Sequence, residues 1–154
     1  MNQEFTASRN EATEADPMEV MTRFYAAEVR YIAAGGAARG ADFSEMAACM
    51  HTDVAMHQGP STPFPGDWIG VEELERFFAN LAETWISMDI RNPHYFAADD
   101  GVAIKMQGVL TSRATGMTIE TELVQVITMS DGLIRDWTVY WLDPVSLQRA
   151  CGLI

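Results

Sequence analysis

Four extended segments in the second half of the chain constrain its fold more than any other feature. The segments are residues 87–97, 102–113, 117–129 and 133–142. Short turn signals separate them, at Asp99-Asp100-Gly101, Thr115-Gly116 and Ser130-Asp131-Gly132. Strands that are joined by turns this short pair with their neighbours in sequence. The second half is therefore predicted to be an antiparallel meander.

Helical periodicity marks the first half of the chain instead. Asp16-Pro17 is typical of a helix start, and Gly35-Gly36 is expected to end this helix. The apolar residues on one predicted face of it are Val20, Phe24, Ala27 and Tyr31. A second, short helix is expected to start at Asp42, where Glu45 completes a capping box.

Three further elements complete the predicted order. They are a strand over 54–58, a third helix over about 71–85, and a last helix from Asp143-Pro144 to Cys151. The loop over 59–66 is too rich in Pro and Gly to be regular. Because the helices precede the meander and collect on one side of it, the pattern predicts an α+β domain.

Composition limits the partners that the protein can have. The 154 residues include 48% hydrophobic residues and carry a formal net charge of −12. Residues 1–17 are acidic and weakly hydrophobic, so they are predicted to form a flexible tail. The chain length predicts one domain over 18–154. The acidic surface argues against nucleic acid and against anionic membranes as partners. We expect a cytoplasmic protein, because two cysteines form no disulfide framework and no secretory or membrane-spanning segment is evident.

Several local strings resemble the nuclear transport factor 2-like superfamily over about residues 18–152. They are TRFYAAEV, DVAMHQGP and WIGVEELERFF, in that order, and the end MSDGLIRDWTVYWLDPVSLQRACG is similar to SnoaL-like polyketide cyclases. The resemblance implies a cone-shaped fold, in which a curved antiparallel sheet packs on the N-terminal helices around one cavity. It also implies a homodimer through the outer face of the sheet. Members include ketosteroid isomerases, limonene-epoxide hydrolases and non-catalytic binders, so the fold alone does not fix the function.

The first strand carries two candidate site residues. Ketosteroid isomerases keep a general-base Asp at the position that looks like Gln58, and an amide cannot take a proton at neutral pH. Gln58 is therefore expected to orient a ligand or a water. His57 is the leading catalytic candidate, because imidazole titrates nearest neutrality. It faces inward only if a bulge before Gly59-Pro60 turns it, and the alternative is a surface or structural histidine.

Two further strands carry polar residues that could face a ligand. Gln125 stands alone on the apolar face of its segment, so it either bonds a neighbouring strand or a buried water, or faces the cavity. Alternation sends Lys105, the only lysine, outward. Limonene-epoxide hydrolases, however, place an Arg and an Asp in the pocket at what look like Lys105 and Gln107. The sequence as a whole therefore leaves open which face of this strand lines the pocket.

Aromatic residues complete the predicted binding set. Phe24 occupies what looks like the catalytic tyrosine position of the isomerases, while the neighbouring Tyr25 projects about 100° away around the helix. Trp137 and Trp141 share one strand face and could wall an apolar cavity, with ordinary core or a dimer interface as the alternatives. The remaining indoles, Trp68 and Trp85, flank the third helix and are also predicted to contact the ligand.

The predicted function is that of a cofactor-independent enzyme acting on a small hydrophobic molecule by acid/base chemistry. Cyclisation, isomerisation, dehydration and epoxide opening all fit the resemblance. The alternatives are a non-catalytic small-molecule binder and a protein-interaction module of the same fold. We expect neither a metal nor a cofactor, because the sequence contains no zinc motif, phosphate loop, dinucleotide fingerprint or nucleophile elbow.

Overall fold

Residues 16–154 are described by a computed structural model, and their helices and strands follow the predicted order. The helices are α1 (Pro17–Ala33), α2 (Ser44–Ala47), α3 (Val71–Thr84) and α4 (Pro144–Ala150). The strands are β1 (Met50–Gln58), β2 (Gly66–Ile69), β3 (Trp85–Ala98), β4 (Gly101–Ser112), β5 (Thr118–Ser130) and β6 (Leu133–Trp141). The short strand β2 was not predicted. Residues 1–15 of the predicted tail lie outside the described residues.

The six strands form one curved open sheet in the order β2-β1-β6-β5-β4-β3, with the helices packed against it. The meander from β3 to β6 is antiparallel throughout, as predicted. The strand β1 runs antiparallel to β2 but parallel to β6, so the sheet is not antiparallel in every pair. The α+β fold is confirmed, and the parallel pair brings the first and last long strands side by side.

Helix α1 begins and ends as its sequence indicates. The Asp16 side chain accepts a hydrogen bond from the backbone N–H of Met18 at 3.0 Å, and Pro17 is the first helical residue. Beyond its end, Gly36 has a φ of +66°, and a Cβ there would lie 2.4 Å from the Cβ of Ala82. Only glycine therefore lets the end of α1 come this close to α3.

The caps of the two short helices differ from each other. At α4, Asp143 accepts a hydrogen bond from the Ser146 N–H at 3.2 Å, which is the predicted cap. Before α2, Asp42 accepts a bond from the Ser44 N–H at 2.9 Å. The predicted capping box does not form there, because the Glu45 carboxylate pairs with a helix α1 arginine instead.

The core lies between the inner face of the sheet, which is the face toward the helices, and helices α1 and α3. Its largest fully buried side chains include Trp137, Phe24, Phe78, Met21, Met56, Ile104 and Met106. Each large apolar side chain buried here stabilises the fold by about 1.5–3 kcal/mol. Among residues 16–154, no helix is long and apolar enough to cross a membrane. The curvature of the sheet leaves one part of this layer incompletely filled.

Candidate functional site

A small cavity lies between the inner face of the sheet and helices α1 and α3. Its apolar walls are formed by Met56, Phe77, Phe78, Leu81, Met88, Ile90, Met106, Leu123, Val139 and the indole rings of Trp137 and Trp141. Four polar side chains also line it, and they are Tyr25, Glu28, Gln58 and Gln125. Its volume is about 40 Å³, which is room for a few water molecules.

Three methionine side chains in the cavity wall can move to admit a larger ligand. Met56, Met88 and Met106 come from three different strands, and unbranched thioether side chains repack more easily than branched ones. Typical small-molecule pockets have volumes of about 300–1,000 Å³. We therefore expect the methionine side chains to move when a ligand enters.

Glu28 contributes a carboxyl group to this cavity. It lies on α1, is only 9% exposed, and has no hydrogen-bond or ion-pair partner among residues 16–154. Burial alone raises the pKa of this carboxyl to about 7 from an ordinary value of 4.5, because the ionised form is stripped of water. No Lys or Arg of the described chain lines the cavity to offset that effect. Glu28 is therefore able to hold or release a proton near neutral pH.

Tyr25 lies one helical turn before Glu28, on the same side of α1. Its hydroxyl donates a hydrogen bond to the Oε1 atom of Gln125 on β5. The pKa of Tyr25 is raised well above its ordinary value of 10.0, mainly by burial and further by the negative charge of Glu28. The tyrosine is thus a neutral hydrogen-bonding group at physiological pH, and it fixes the orientation of the Gln125 amide.

Gln58 and Trp137 are two further lining residues that carry polar atoms. The Gln58 amide nitrogen makes a weak contact with the Met56 sulfur at 3.6 Å. The Nε1–H of Trp137 is buried and has no hydrogen-bond partner in residues 16–154. An indole N–H is a donor only, so a complementary partner must be an acceptor.

A second space of about 30 Å³ adjoins the cavity. It shares Gln58 and Trp141 with the cavity and is closed by Trp85 and by Phe64 from the loop between β1 and β2. Of the residues predicted to bind a ligand, Tyr25, Gln58, Gln125, Trp137 and Trp141 therefore line the cavity, and Trp85 lines this annex.

The structure places His57 on the opposite, outer face of the sheet. Strand β1 is regular at this end, so Met56 and Gln58 face the cavity and His57 between them faces away. Its Nδ1 lies 2.7 Å from Asp67 and its Nε2 lies 3.0 Å from Asp136. The inward-turning bulge considered for His57 does not occur, and the predicted catalytic histidine has no access to the cavity.

Lys105 and Gln107 also lie on the outer face. On β4 the buried inner residues are Ile104 and Met106, and the Lys105 side chain is 53% exposed. Lys105 forms an ion pair with Glu122 at 3.6 Å, and Gln107 accepts a hydrogen bond from Asn92 at 3.0 Å. Strand alternation thus outweighs the resemblance to the hydrolases at these two positions.

Two predicted aromatic contacts belong to the packing around the cavity rather than to its wall. Phe24 is fully buried and makes an edge-to-face contact with Trp137, with ring centroids 4.9 Å apart. Trp68 on β2 packs on Phe77 at 5.3 Å, and its Nε1–H donates to the backbone carbonyl of Phe64. Both rings support residues that do line the cavity.

The remaining depressions lack this combination of enclosure and chemistry. One of them, of about 700 Å³, is an open groove whose lining includes Arg39, Glu83 and Arg113 near the ends of α1 and α3. The Arg113 guanidinium is already bonded to the Glu83 carbonyl at 3.0 Å, at the end of α3. Within residues 16–154, no group of three or more His, Cys, Asp or Glu side chains is placed to hold a metal ion.

The position of Glu28 in the sequence indicated that it would be buried, but its charge argued for solvent exposure. Glu28 follows Phe24 by four residues and precedes Tyr31 by three, so it belongs to the apolar face of α1. A carboxylate is normally assigned to solvent, and burial of this one depends on how the curved sheet meets the helix. A charged residue within an apolar helical face was the signal available.

Comparisons with known proteins agree with this fold. A family model for the SnoaL-like domain matches residues 37–137, which is more than half of the chain. A nuclear transport factor 2-like protein of unknown function from Burkholderia pseudomallei is similar in structure, with a TM-score of 0.75, 15% identity, and coverage of 89% of this chain and 98% of that chain. No curated protein matches this chain in sequence.

Two further solved structures have names that refer to chemistry. A putative isomerase from Bacillus subtilis has a TM-score of 0.70 and 16% identity, and the match covers 90% of this chain and 96% of that chain. TerC, crystallised with polyporic acid, has a TM-score of 0.73 and 18% identity, and the match covers 90% of this chain and 99% of that chain. At these identities the similarity shows the fold alone.

Proposed function

Because this chain belongs to the SnoaL-like domain family, we propose that it is an acid/base enzyme of small, uncharged, hydrophobic molecules, with Glu28 as the proton-transferring group. The observation that carries the proposal is the buried Glu28 carboxyl, which has no polar partner among residues 16–154 and whose pKa is raised to about 7. A carboxyl with this pKa is partly ionised and partly protonated at neutral pH. It can therefore accept a proton from one atom of a substrate and return it to another.

The surroundings of Glu28 support a positioning role for its neighbours. Tyr25 holds the Gln125 amide in one orientation, so the free amide N–H groups of Gln125 are available to a ligand. Gln58 offers a second amide on the same sheet wall, two strands away from Gln125, because both residues pair with Val139. Isomerisation, cyclisation and dehydration of carbonyl compounds can each begin with removal of a proton from the carbon beside the carbonyl, and this arrangement suits that step. Of the similar structures, one is named a putative isomerase, and TerC was crystallised with polyporic acid, which is a small organic molecule.

Exchange of carbon-bound hydrogen tests the proposal without knowledge of the natural substrate. Cyclohexanone is incubated with the protein in D₂O, and deuterium incorporation beside the carbonyl is followed by NMR. Glu28 removes a proton from carbon, solvent exchanges it, and a deuteron returns to the same carbon. We expect exchange above the buffer rate with wild type and a loss of about 100-fold or more with Glu28→Gln, since a positioned general base contributes about 10²–10⁴-fold. Equal exchange by both proteins would remove Glu28 from the chemistry.

A protein-interaction role for the outer face is the second candidate function. Phe96 and Tyr140 are each 58% exposed there, and Val126 is 43% exposed. Phe96 pairs with Ala103 across β3 and β4, and Ala103 pairs with Val126 across β4 and β5, so the apolar positions adjoin. The predicted homodimer would use this face. Sedimentation equilibrium distinguishes the cases, because Tyr140→Lys is expected to yield a monomer if the face is an interface between copies.

We also propose a reducing compartment, such as the cytoplasm, as the location of the protein. Cys49 and Cys151 are both free thiols. Disulfides persist in oxidising compartments and are rare in the cytosol. The measurement that tests this is fractionation of the native cells followed by immunodetection.

A further inference from the structure

We infer that the Trp137 indole N–H anchors an oxygen atom of the ligand, and that the cavity therefore selects uncharged compounds that carry a carbonyl oxygen. This inference rests on the proposed function for the choice of the site, and it adds the ligand class and the residue that recognises it. It concerns binding, so it can hold or fail independently of proton transfer by Glu28.

The unpartnered donor is the first observation. Trp137 is 1% exposed, and its Nε1–H has no hydrogen-bond partner in the described part of the chain. A buried donor without a partner costs free energy, so an acceptor that enters the cavity recovers a bond that residues 16–154 do not make. Apolar side chains of similar size would carry no such cost at this position.

The indole ring is also held in place before any ligand arrives. Phe24 packs on it edge to face at 4.9 Å, and Phe78 lies against it at 6.0 Å. Its backbone is paired on both sides, with Met56 on β1 and with Ile127 on β5. The donor is therefore preorganised, and little conformational entropy is lost when it binds an oxygen.

The other polar groups of the cavity also favour a ligand that accepts hydrogen bonds. The Oε1 atom of Gln125 already receives the Tyr25 hydroxyl, which leaves the amide N–H groups of Gln125 as donors. Within residues 16–154, the Gln58 amide nitrogen is engaged only by the Met56 sulfur at 3.6 Å, a weak acceptor. Donors from three strands thus line the space, and the Glu28 carboxyl and the Gln58 amide oxygen are its acceptors without a partner in residues 16–154.

Charge narrows the ligand class further. The described lining contains no Lys or Arg, and Lys105 is on the outer face. A carboxylate or phosphate in this cavity would meet Glu28 without a compensating cation, and burying an unpaired charge is costly. A hydrocarbon would leave the Trp137 donor unpaired. An uncharged carbonyl compound satisfies both conditions.

The test compares two probes of nearly equal shape. Cyclohexanone and methylenecyclohexane differ in the exchange of a carbonyl oxygen for a CH₂ group. The protein is labelled with ¹⁵N in its indole rings, and both probes are titrated into wild type, Trp137→Phe and Trp141→Phe. Trp141→Phe is the matched control, because it removes an indole from the same wall but leaves the Trp137 donor in place.

We expect wild type to bind cyclohexanone about tenfold more tightly than methylenecyclohexane, and the Trp137 Hε1 resonance to move downfield with cyclohexanone alone. In Trp137→Phe the ratio of the two affinities falls to about one, whereas Trp141→Phe keeps it. The wild-type resonance decides the question even if Trp137→Phe fails to fold. Equal affinities for the two probes, or an unmoved Trp137 resonance at saturation with cyclohexanone, would overturn the inference.

Comparing the titration of wild type with its deuterium exchange separates this inference from the proposed function. Selective binding of cyclohexanone without deuterium exchange by wild type would support the ligand class and contradict catalysis. Exchange by wild type without a change at Trp137 would contradict the ligand anchor and leave Glu28 as the base.

Discussion

A titratable side chain with a raised pKa lies on each side of the sheet, Glu28 of helix α1 on the inner side and His57 of strand β1 on the outer side, and the causes are opposite. On the inner side, Glu28 has no polar partner in the described residues, and loss of water raises its pKa to about 7. On the outer side, hydrogen bonds from His57 to Asp67 and then to Asp136 raise the histidine pKa above 6.5, and burial works against them. Burial destabilises the ionised carboxylate of Glu28, whereas the hydrogen bonds stabilise the protonated imidazolium of His57.

This difference separates a reactive group from a structural one. A neutral imidazole has one N–H, and both partners of His57 are carboxylates, so both ring nitrogens donate only when the ring is protonated. That bonded imidazolium has no free nitrogen to offer a substrate. Glu28 keeps both carboxyl oxygens free of protein partners within residues 16–154 and faces the cavity. A raised pKa marks a candidate site only when the group is also free to react.

The largest expected effect contrasts the two groups in activity. We expect Glu28→Gln to lower the rate of deuterium exchange into cyclohexanone by about 100-fold or more. His57→Gln is expected to leave that rate within about threefold of wild type, because His57 lies on the other face of the sheet and does not affect the barrier directly. A large loss with His57→Gln in a folded protein would break the distinction between the faces.

The second effect concerns the pH dependence of stability. The folded-state pKa of Glu28 is raised, so its neutral form stabilises the fold fully below pH 4.5, and this contribution is lost as the pH rises to about 7. The rise from 4.5 to about 7 corresponds to about 3 kcal/mol. The free energy of unfolding of Glu28→Gln, relative to wild type, should therefore increase by about that amount between pH 4.5 and pH 8.

Urea denaturation at several pH values measures this difference. Glu75→Gln is the control, because Glu75 is an exposed glutamate on α3 and its substitution should give a nearly constant difference. A constant difference for Glu28→Gln as well would mean that the carboxyl is solvated in the folded protein.

His57 is also expected to stabilise the folded protein more at low pH than at high pH, but by a smaller amount than Glu28. Its contribution is fully present below pH 6.5 and is lost as the pH rises through its raised folded-state pKa. His57→Gln should cost at most about 1 kcal/mol at pH 6, because the site is partly exposed and screened by solvent. The loss should shrink at pH 9, and thermal unfolding at the two pH values would reveal the change. A loss that grows with pH contradicts the bonded imidazolium.

The smallest effect is expected for Lys105. Its ion pair with Glu122 is exposed, so Lys105→Gln should change the free energy of unfolding by less than about 0.5 kcal/mol. Affinity for cyclohexanone should not change, because the side chain lies outside the cavity. A marked loss of affinity would mean that the ligand binds on the outer face instead.

Strand alternation predicted which face most site residues occupy. It placed Gln125 among inward-facing apolar residues and indicated that Lys105 points outward, and the structure has both side chains there. His57 was favoured for its chemistry although its neighbour Gln58 was expected to face the ligand. Adjacent residues of a regular strand cannot share a face, so strand alternation predicts the orientation of His57 better than its chemistry does.

Tertiary packing accounts for what the sequence could not provide. The burial of Glu28 depends on contact between α1 and the curved sheet, and the bonds of His57 join residues from β2 and β6. The Tyr25–Gln125 hydrogen bond likewise joins residues 100 positions apart. Helix α1 was predicted from its periodicity, but the side of α1 that meets the cavity is fixed only by the position of the sheet.

Direct titration of Glu28 tests the central claim. The protein is labelled with ¹³C at the glutamate side-chain carboxyls, and the Glu28 resonance is assigned by its absence in Glu28→Gln. Its chemical shift is then followed from pH 3 to pH 9. We predict a midpoint at about pH 7. A midpoint near 4.5 would show a solvated carboxylate and contradict the account of the inner cavity as the reactive face.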